Sequence, residues 1–145
     1  MSEHTILLVE DNPPDVATVR EAFPRLDPEL RLRVVPDGEA ALLYLSRAGP
    51  YSDSTLFPLP ELILLDLSLP KFDGFHVLEW VRTHPKFRTL PVIMLATSSY
   101  SGDIKRAYAF GANSFITKPS SFNKLVADLK LAFDHWLYAP LRAAA

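Results

Sequence analysis

The sequence has no cysteine among its 145 residues. This absence excludes disulfide bonds, thiolate metal sites and cysteine nucleophiles, and it suits a reducing compartment, so we expect a cytoplasmic protein. Lysine and arginine form no basic stripe and the net charge is −2, which predicts no direct binding to nucleic acid. No apolar run approaches the about 20 residues that span a bilayer, so we expect no membrane insertion.

Acidic residues follow two short apolar runs. Glu10 and Asp11 follow residues 6–9, and Asp66 follows residues 62–65. If the two runs are neighbouring parallel strands, three carboxylates meet at one edge of a sheet. Like charges that close cannot all stay ionised without a cation between them. The sequence therefore predicts a metal site that contains a candidate nucleophile.

A lysine follows a third apolar stretch. Lys118 comes directly after residues 115–117 and would bring a positive charge to the same edge, which suits the binding of a phosphoryl group. The segment from Glu10 to Asp15 contains no glycine. It therefore does not fit the phosphate-cradling loop of a flavin or nucleotide binder.

Strands and helices alternate five times along the sequence. Continuous apolar runs at 6–9, 62–65 and 92–95 are typical of strands covered on both faces, and the alternation at 31–34 favours an edge strand. Helical periodicity occupies the segments between them, with Asn12 as the first cap and the last helix ending before Pro140. The predicted helices cover about 12–23, 37–45, 74–82, 102–110 and 122–137.

This alternation predicts an α/β fold. We expect a flavodoxin-like (βα)5 three-layer sandwich whose parallel sheet has the order 2-1-3-4-5, with the acidic residues at its switch point. One domain should cover residues 1–145, with an insertion loop at 48–60 and an extended C-terminal helix and tail at about 121–145.

These motifs resemble the receiver domain of two-component response regulators over nearly the whole chain. Glu10 and Asp11 correspond to the acidic pair, Asp66 to the phosphoacceptor and Lys118 to the phosphate-pairing lysine before a proline. Residues 70–74 match the Pro-x-x-Asp-Gly loop of that family.

The resemblance implies a Mg²⁺ or Mn²⁺ site and phosphoryl transfer from a histidine kinase. Asp11 and Asp66 would be direct ligands, the Ser68 backbone carbonyl a third, and Glu10 would act through water. Asp66 would attack the phosphodonor while Lys118 neutralises charge on the transferred group. Such a protein has intrinsic autophosphorylation and autodephosphorylation chemistry but is not a turnover enzyme.

One position departs from the family pattern. Receivers usually carry Ser or Thr where this chain has Ala96, and that hydroxyl bonds the phosphoryl group while an aromatic residue, here Phe115, follows its movement. Thr97 or Ser98 could replace the hydroxyl only if the strand end is irregular, because regular strand geometry points Thr97 to the opposite face.

The insertion and the aromatic end of the last helix resemble the small response regulators that serve phytochrome-type sensor kinases. The resemblance implies a kinase of that type as partner. Phe133 and Trp136 fit either ordinary packing or a homodimer contact through the C-terminal helix. The four histidines, at positions 4, 76, 84 and 135, share no ligand spacing and are expected at the surface.

Two other interpretations start from single residues. Ala96 is compatible with a receiver-like protein interaction module that no longer switches on phosphorylation. A haloacid-dehalogenase-type phosphatase also uses a strand-end aspartate with Mg²⁺, but it requires a second aspartate two residues after the nucleophile. Ser68 occupies that position, which argues against this class.

Overall fold

Five short strands lie side by side in one parallel sheet. The computed structural model describes residues 4–97 and 100–140. Hydrogen bonds join the strands in the order β2-β1-β3-β4-β5, which confirms the predicted α/β fold and strand order. The strands are β1 (His4–Val9), β2 (Leu30–Val35), β3 (Leu62–Asp66), β4 (Val92–Ala96) and β5 (Ser114–Thr117).

Helices connect consecutive strands and cover both faces of the sheet. Side chains cap four of them, because Asn12, Asp37, Asp73 and Ser121 each accept a hydrogen bond from a backbone N–H in the first turn. No helix within residues 4–97 and 100–140 is long and apolar enough to cross a membrane. The helices are α1 (Pro13–Leu26), α2 (Gly38–Leu45), α3 (Gly74–Thr83), α4 (Ser101–Ala109) and α5 (Phe122–Phe133).

The sheet separates two hydrophobic cores. Ile6 and Leu8 of β1 belong to the core that α1 and α5 cover, whereas Leu7 and Val9 belong to the core under α2, α3 and α4. All four side chains are fully buried. Burial on both faces explains why the central strands are continuous apolar runs instead of alternating ones.

The helical conformation continues beyond α5. A π-helical turn covers Asp134–Tyr138, and the chain stays helical through Pro140, the last residue described. The prediction that the last helix ends before Pro140 is therefore wrong. The Ala139 N–H bonds to the Asp134 carbonyl, five residues back, in this wider turn.

The C-terminal aromatic residues pack mainly within the molecule. Phe133 is buried and its ring meets that of Phe23 edge to face, with centroids 5.8 Å apart. This contact supports the packing interpretation for Phe133. Trp136 is half-buried.

Contacts at the amino ends of the strands fasten the C-terminal turn to the sheet. The Tyr138 hydroxyl donates a hydrogen bond to Asp27 Oδ2 at 2.8 Å, and the His4 ring lies edge-on to the Tyr138 ring. His4 Nδ1 is 2.7 Å from Glu61 Oε2. His4 and His84 are half-buried, so their expected surface position is wrong, whereas His76 and His135 are exposed as expected.

The insertion at 48–60 is anchored by aromatic packing. It contains one short 3-10 turn, Gly49–Tyr51. The rings of Tyr44, Tyr51 and Phe57 contact one another at centroid distances of 5.2 to 5.9 Å. The Tyr44 hydroxyl also donates to the Pro58 carbonyl at 2.7 Å, so the insertion is tied to α2.

Arg82 at the end of α3 connects two loops. Its Nε donates to the Gly111 carbonyl at 2.8 Å, its Nη1 to the Leu90 carbonyl at 2.7 Å, and its Nη2 to Asn113 Oδ1 at 2.6 Å. A single guanidinium thus joins the α3–β4 and α4–β5 connections.

Candidate metal and phosphorylation site

Three carboxylates converge at the carboxyl edge of the sheet. Strands β1 and β3 pair in parallel with Val9 beside Leu65, so the residues after these partners meet. Carboxylate oxygens of Glu10, Asp11 and Asp66 all lie within 4.8 Å of one another. The structure therefore brings together the three acidic residues that the sequence analysis selected.

The donor set fits a hard divalent cation. Mg²⁺ and Mn²⁺ prefer carboxylate, carbonyl and water oxygens, and a cluster of three carboxylates supplies that chemistry. Glu10 and Asp66 are buried, with 2% and 5% of their surface exposed, while Asp11 is exposed. Burial, together with the adjacent Asp66, raises the pKa of Glu10 to about 7. A bound cation would offset the repulsion from Asp66 that contributes to this shift alongside burial.

Lys118 supplies the positive charge of the site. Its Nζ lies 2.6 Å from Glu10 Oε1, 2.8 Å from Asp15 Oδ2 and 3.5 Å from Asp66 Oδ2. Burial opposes the charge of Lys118, but the hydrogen bonds to Asp15 and Glu10 and the charge of Asp66 outweigh it, so the lysine pKa is raised. Lys118 therefore stays protonated at neutral pH.

Asp15 is a site residue that the sequence analysis did not identify. It lies in the first turn of α1, where an acidic residue usually signals only helix-dipole stabilisation. The sequence could nevertheless have indicated this contact, because the predicted start of α1 at Asn12 places its first turn at the same sheet edge as Lys118.

The loop after β3 surrounds the phosphoacceptor candidate. The Ser68 N–H donates to Asp66 Oδ1 at 3.3 Å. Further along, Lys71 and Phe72 have positive φ values of 46° and 67°. Such backbone conformations cost non-glycine residues about 1 kcal/mol each or more, and they persist only where surrounding contacts impose them.

The N-terminus of α2 provides those contacts. The Gly38 N–H donates to the Pro70 carbonyl at 3.4 Å, and the Glu39 N–H donates to the Lys71 carbonyl at 3.1 Å. First-turn N–H groups have no partner inside their own helix. A Cβ on Gly38 would collide with the Phe72 carbonyl oxygen, so only glycine permits this approach.

Replacement of this glycine tests the contact between α2 and the loop. We expect Gly38→Ala to lower the free energy of unfolding by about 2 kcal/mol and to weaken divalent-ion binding, because the loop that carries Ser68 must move. Urea unfolding and Mn²⁺ titration would measure the two effects.

Gly102→Ala is the matched control for Gly38→Ala. The three atoms nearest to an added Cβ all belong to Tyr100, an exposed side chain that can rotate away. We expect a change within about 0.5 kcal/mol for this variant. If Gly38→Ala behaved like Gly102→Ala in both measurements, the contact would have no role in holding the loop.

The candidate switch residues lie near the site. Ala96 is buried at the end of β4, and its carbonyl accepts the Lys118 N–H at 2.6 Å. Thr97 is exposed just beyond the strand, and Phe115 is half-buried on β5. Ser98 lies outside the described residues. The loss of switching at Ala96 and the switching role of Phe115 stay predictions.

Comparisons with known proteins identify the family. Residues 6–130 match the response regulator receiver domain. The probable methanogenesis regulatory protein FilR2 of Methanothrix harundinacea is 39% identical over 91% of this chain and 83% of its own. The response regulator Rcp1 of Synechocystis is 36% identical over 91% of this chain and 88% of its own.

Solved structures agree with the sequence relationship. The phosphorylated cyanobacterial phytochrome response regulator RcpA superposes with a TM-score of 0.84 at 35% identity, covering 94% of this chain and 95% of its own. The Mn²⁺-bound form of Rcp1 gives a TM-score of 0.80 at 34% identity, covering 92% and 94%. The fold, the clustered acidic residues and these similarities agree: the chain belongs to the response regulator receiver domain family.

Proposed function

We propose that this protein is a single-domain response regulator, folded as one domain over residues 1–145, that accepts a phosphoryl group from a histidine kinase on Asp66. The proposal rests on the convergence of Glu10, Asp11, Asp66 and Lys118 at one edge of the sheet. The similarity to RcpA, whose structure is that of a phosphorylated response regulator, supports it. The alternative of a non-switching interaction module is not favoured, because the acidic cluster and the lysine are in place.

Mg²⁺ or Mn²⁺ would be held by Asp11, Asp66 and the Ser68 carbonyl, with Glu10 acting through water. When bound, the ion supplies charge neutralisation during phosphoryl transfer. The Mn²⁺-bound form of Rcp1 supports this assignment for a related protein. The three carboxylates of this chain provide the oxygen ligands that either ion requires.

Transfer uses Asp66 as the nucleophile. One carboxylate oxygen of Asp66 forms a bond to phosphorus, and the bond from phosphorus to the donor breaks with the electron pair leaving on the donor. Lys118 faces the charge spread over the equatorial oxygens. The aspartyl phosphate carries about two negative charges where one stood, and this added charge biases the surface formed by α4, β5 and α5.

The partners follow from the same proposal. RcpA is a phytochrome response regulator, which supports a phytochrome-type histidine kinase as the phosphodonor. Leu131 on α5 is 71% exposed and lines one surface cavity together with the half-buried Trp136, which supports a homodimer through the C-terminal helix region. A cytoplasmic location belongs to the proposal because histidine kinases draw their phosphoryl group from cytoplasmic ATP.

Intact mass spectrometry tests the proposed function. We expect the protein incubated with acetyl phosphate and Mg²⁺ to gain the mass of one phosphoryl group, and the same incubation with EDTA to give little or no gain. Acetyl phosphate is a small donor, so the test does not depend on knowing the kinase. An unchanged mass in the presence of Mg²⁺, with ion binding verified by titration, would contradict the proposal.

A further inference from the structure

Lys118 contacts three carboxylates at unequal distances. Lys118 Nζ makes its two short contacts with Glu10, at 2.6 Å, and Asp15, at 2.8 Å. Asp66 Oδ2 lies further away, at 3.5 Å. The lysine is thus bound mainly by two carboxylates that are not the phosphoacceptor.

Asp15 is held in place to make this contact. Its backbone N–H bonds to the side chain of Asn12 at 3.2 Å, which caps α1. Pro13 and Pro14 precede it in the first turn, and proline fixes the backbone torsion φ there. The carboxylate therefore faces Lys118 with little remaining freedom of its backbone.

The two carboxylates that bind the lysine differ in exposure. The Glu10 side chain is 1% exposed and lies beneath Lys118, whereas the Asp15 side chain is 35% exposed at the rim. Asp15 and Lys118 both line a cavity of about 330 Å³ between α1 and the β5–α5 connection. The half-exposed Asp15 carboxylate can be rehydrated when its bond to Lys118 breaks, whereas the buried Glu10 carboxylate cannot, so Asp15 is the partner that Lys118 can exchange.

We propose that Asp15 is a positioning residue that competes with the phosphoryl group for Lys118 and thereby slows phosphorylation of Asp66. The inference rests on the proposed function. During transfer, Lys118 gives up a charge-assisted hydrogen bond to Asp15 and forms one to a phosphoryl oxygen. The free energy of the bond to Asp15 therefore adds to the barrier for transfer.

Neutralising Asp15 tests this competition. We expect Asp15→Asn to accept phosphoryl from acetyl phosphate about three to ten times faster than the wild type, because an amide oxygen binds an ammonium less strongly than a carboxylate does. The initial rate of mass gain with saturating Mg²⁺ is the readout. A rate equal to or below that of the wild type overturns the proposal.

Asp128→Asn is the matched control. Asp128 pairs with Lys124 on α5, with an Nζ–Oδ2 distance of 3.0 Å, so the substitution removes the same charge and also a lysine partner. We expect the wild-type rate for this variant. An equal acceleration in Asp128→Asn would assign the effect to net charge and overturn the proposal.

Two further measurements separate competition for Lys118 from repulsion of the anionic donor. In a Lys118→Met background, Asp15→Asn should have no additional effect, and a persisting acceleration overturns the proposal. If the Lys118→Met variant takes up no phosphoryl group, the salt dependence of the Asp15→Asn acceleration distinguishes competition from repulsion. At about 1 M salt the Debye length is about 3 Å, so simple repulsion disappears, whereas we expect most of the acceleration to remain.

The outcomes also distinguish this inference from the proposed function. If neither the wild type nor Asp128→Asn gains mass with Mg²⁺, both fail together. If the wild type is phosphorylated but Asp15→Asn is no faster, the proposed function stands and only the role of Asp15 is overturned.

Discussion

Asp66→Asn is expected to abolish phosphorylation and, at the same time, to stabilise the metal-free protein. The first effect follows because an amide is too weak a nucleophile to attack the phosphodonor. The second follows from the crowding of Glu10, Asp11 and Asp66 within 4.8 Å. Loss of one of these charges relieves repulsion that Lys118 offsets in part.

The expected stabilisation is on the order of 1 kcal/mol, which lies within the range found when unfavourable functional-site charges are removed. Asp66 is one of the groups that raise the pKa of Glu10, so its replacement also allows Glu10 to ionise at lower pH. The effect should shrink when Mg²⁺ is added, because the wild type then gains a ligand that the variant binds less well.

Thermal unfolding in EDTA and intact mass after incubation with acetyl phosphate measure the two effects. Asp66→Glu is the control for stability, since it retains the charge and should show no comparable increase in Tm. A mass gain in Asp66→Asn that equals the wild-type gain would place the phosphoacceptor elsewhere. An unchanged or lower Tm in EDTA would show that repulsion among the carboxylates is not significant.

Arg82→Met is expected to destabilise the fold by about 2–4 kcal/mol. The substitution retains much of the aliphatic side chain but removes the donors that serve the carbonyls of Leu90 and Gly111 and Asn113 Oδ1. Asn113 Oδ1 also accepts the Val92 N–H at 2.8 Å. The substitution therefore also weakens the positioning of Asn113 against the start of β4. Part-buried acceptors that lose a charged donor pay the cost of their desolvation.

Urea unfolding at 25 °C would measure the change. Arg25→Met is the control, because Arg25 is exposed and its guanidinium lies over the Phe122 ring, 5.1 Å from the centroid. We expect a loss within about 0.5 kcal/mol for that variant. Equal losses in the two variants would mean that the hydrogen bonds of Arg82 contribute nothing beyond those of an ordinary surface arginine.

The strand order could be predicted because local pattern and global fold agree. Residues 6–9 and 62–65 are apolar without alternation because both faces of β1 and β3 are covered. An α/β arrangement with a parallel sheet satisfies that requirement and also accounts for the helical segments between the strands. Once these strands are neighbours, the meeting of Glu10, Asp11 and Asp66 follows from the parallel direction alone.

Other features depend on contacts that the sequence does not encode locally. The contact of Asp15 with Lys118 joins residues 103 positions apart, and an acidic residue in a first helical turn has a sufficient local explanation. The π-helical turn before Pro140 depends on how residues 134–138 pack against the sheet. His4 is half-buried because Glu61 and Tyr138 are nearby, and neither follows from its own sequence neighbourhood.

The Tyr138–Asp27 hydrogen bond and the His4–Tyr138 ring contact have a practical consequence for attaching the protein to other molecules. They place residues 4 and 138 together at the amino edge of the sheet. The carboxyl edge, with Glu10, Asp11 and Asp66, lies at the other end of the strands. A purification tag, fluorophore or surface linker joined near either residue would project away from the carboxyl edge of the sheet. Immobilised protein should thus keep that edge accessible to soluble phosphodonors.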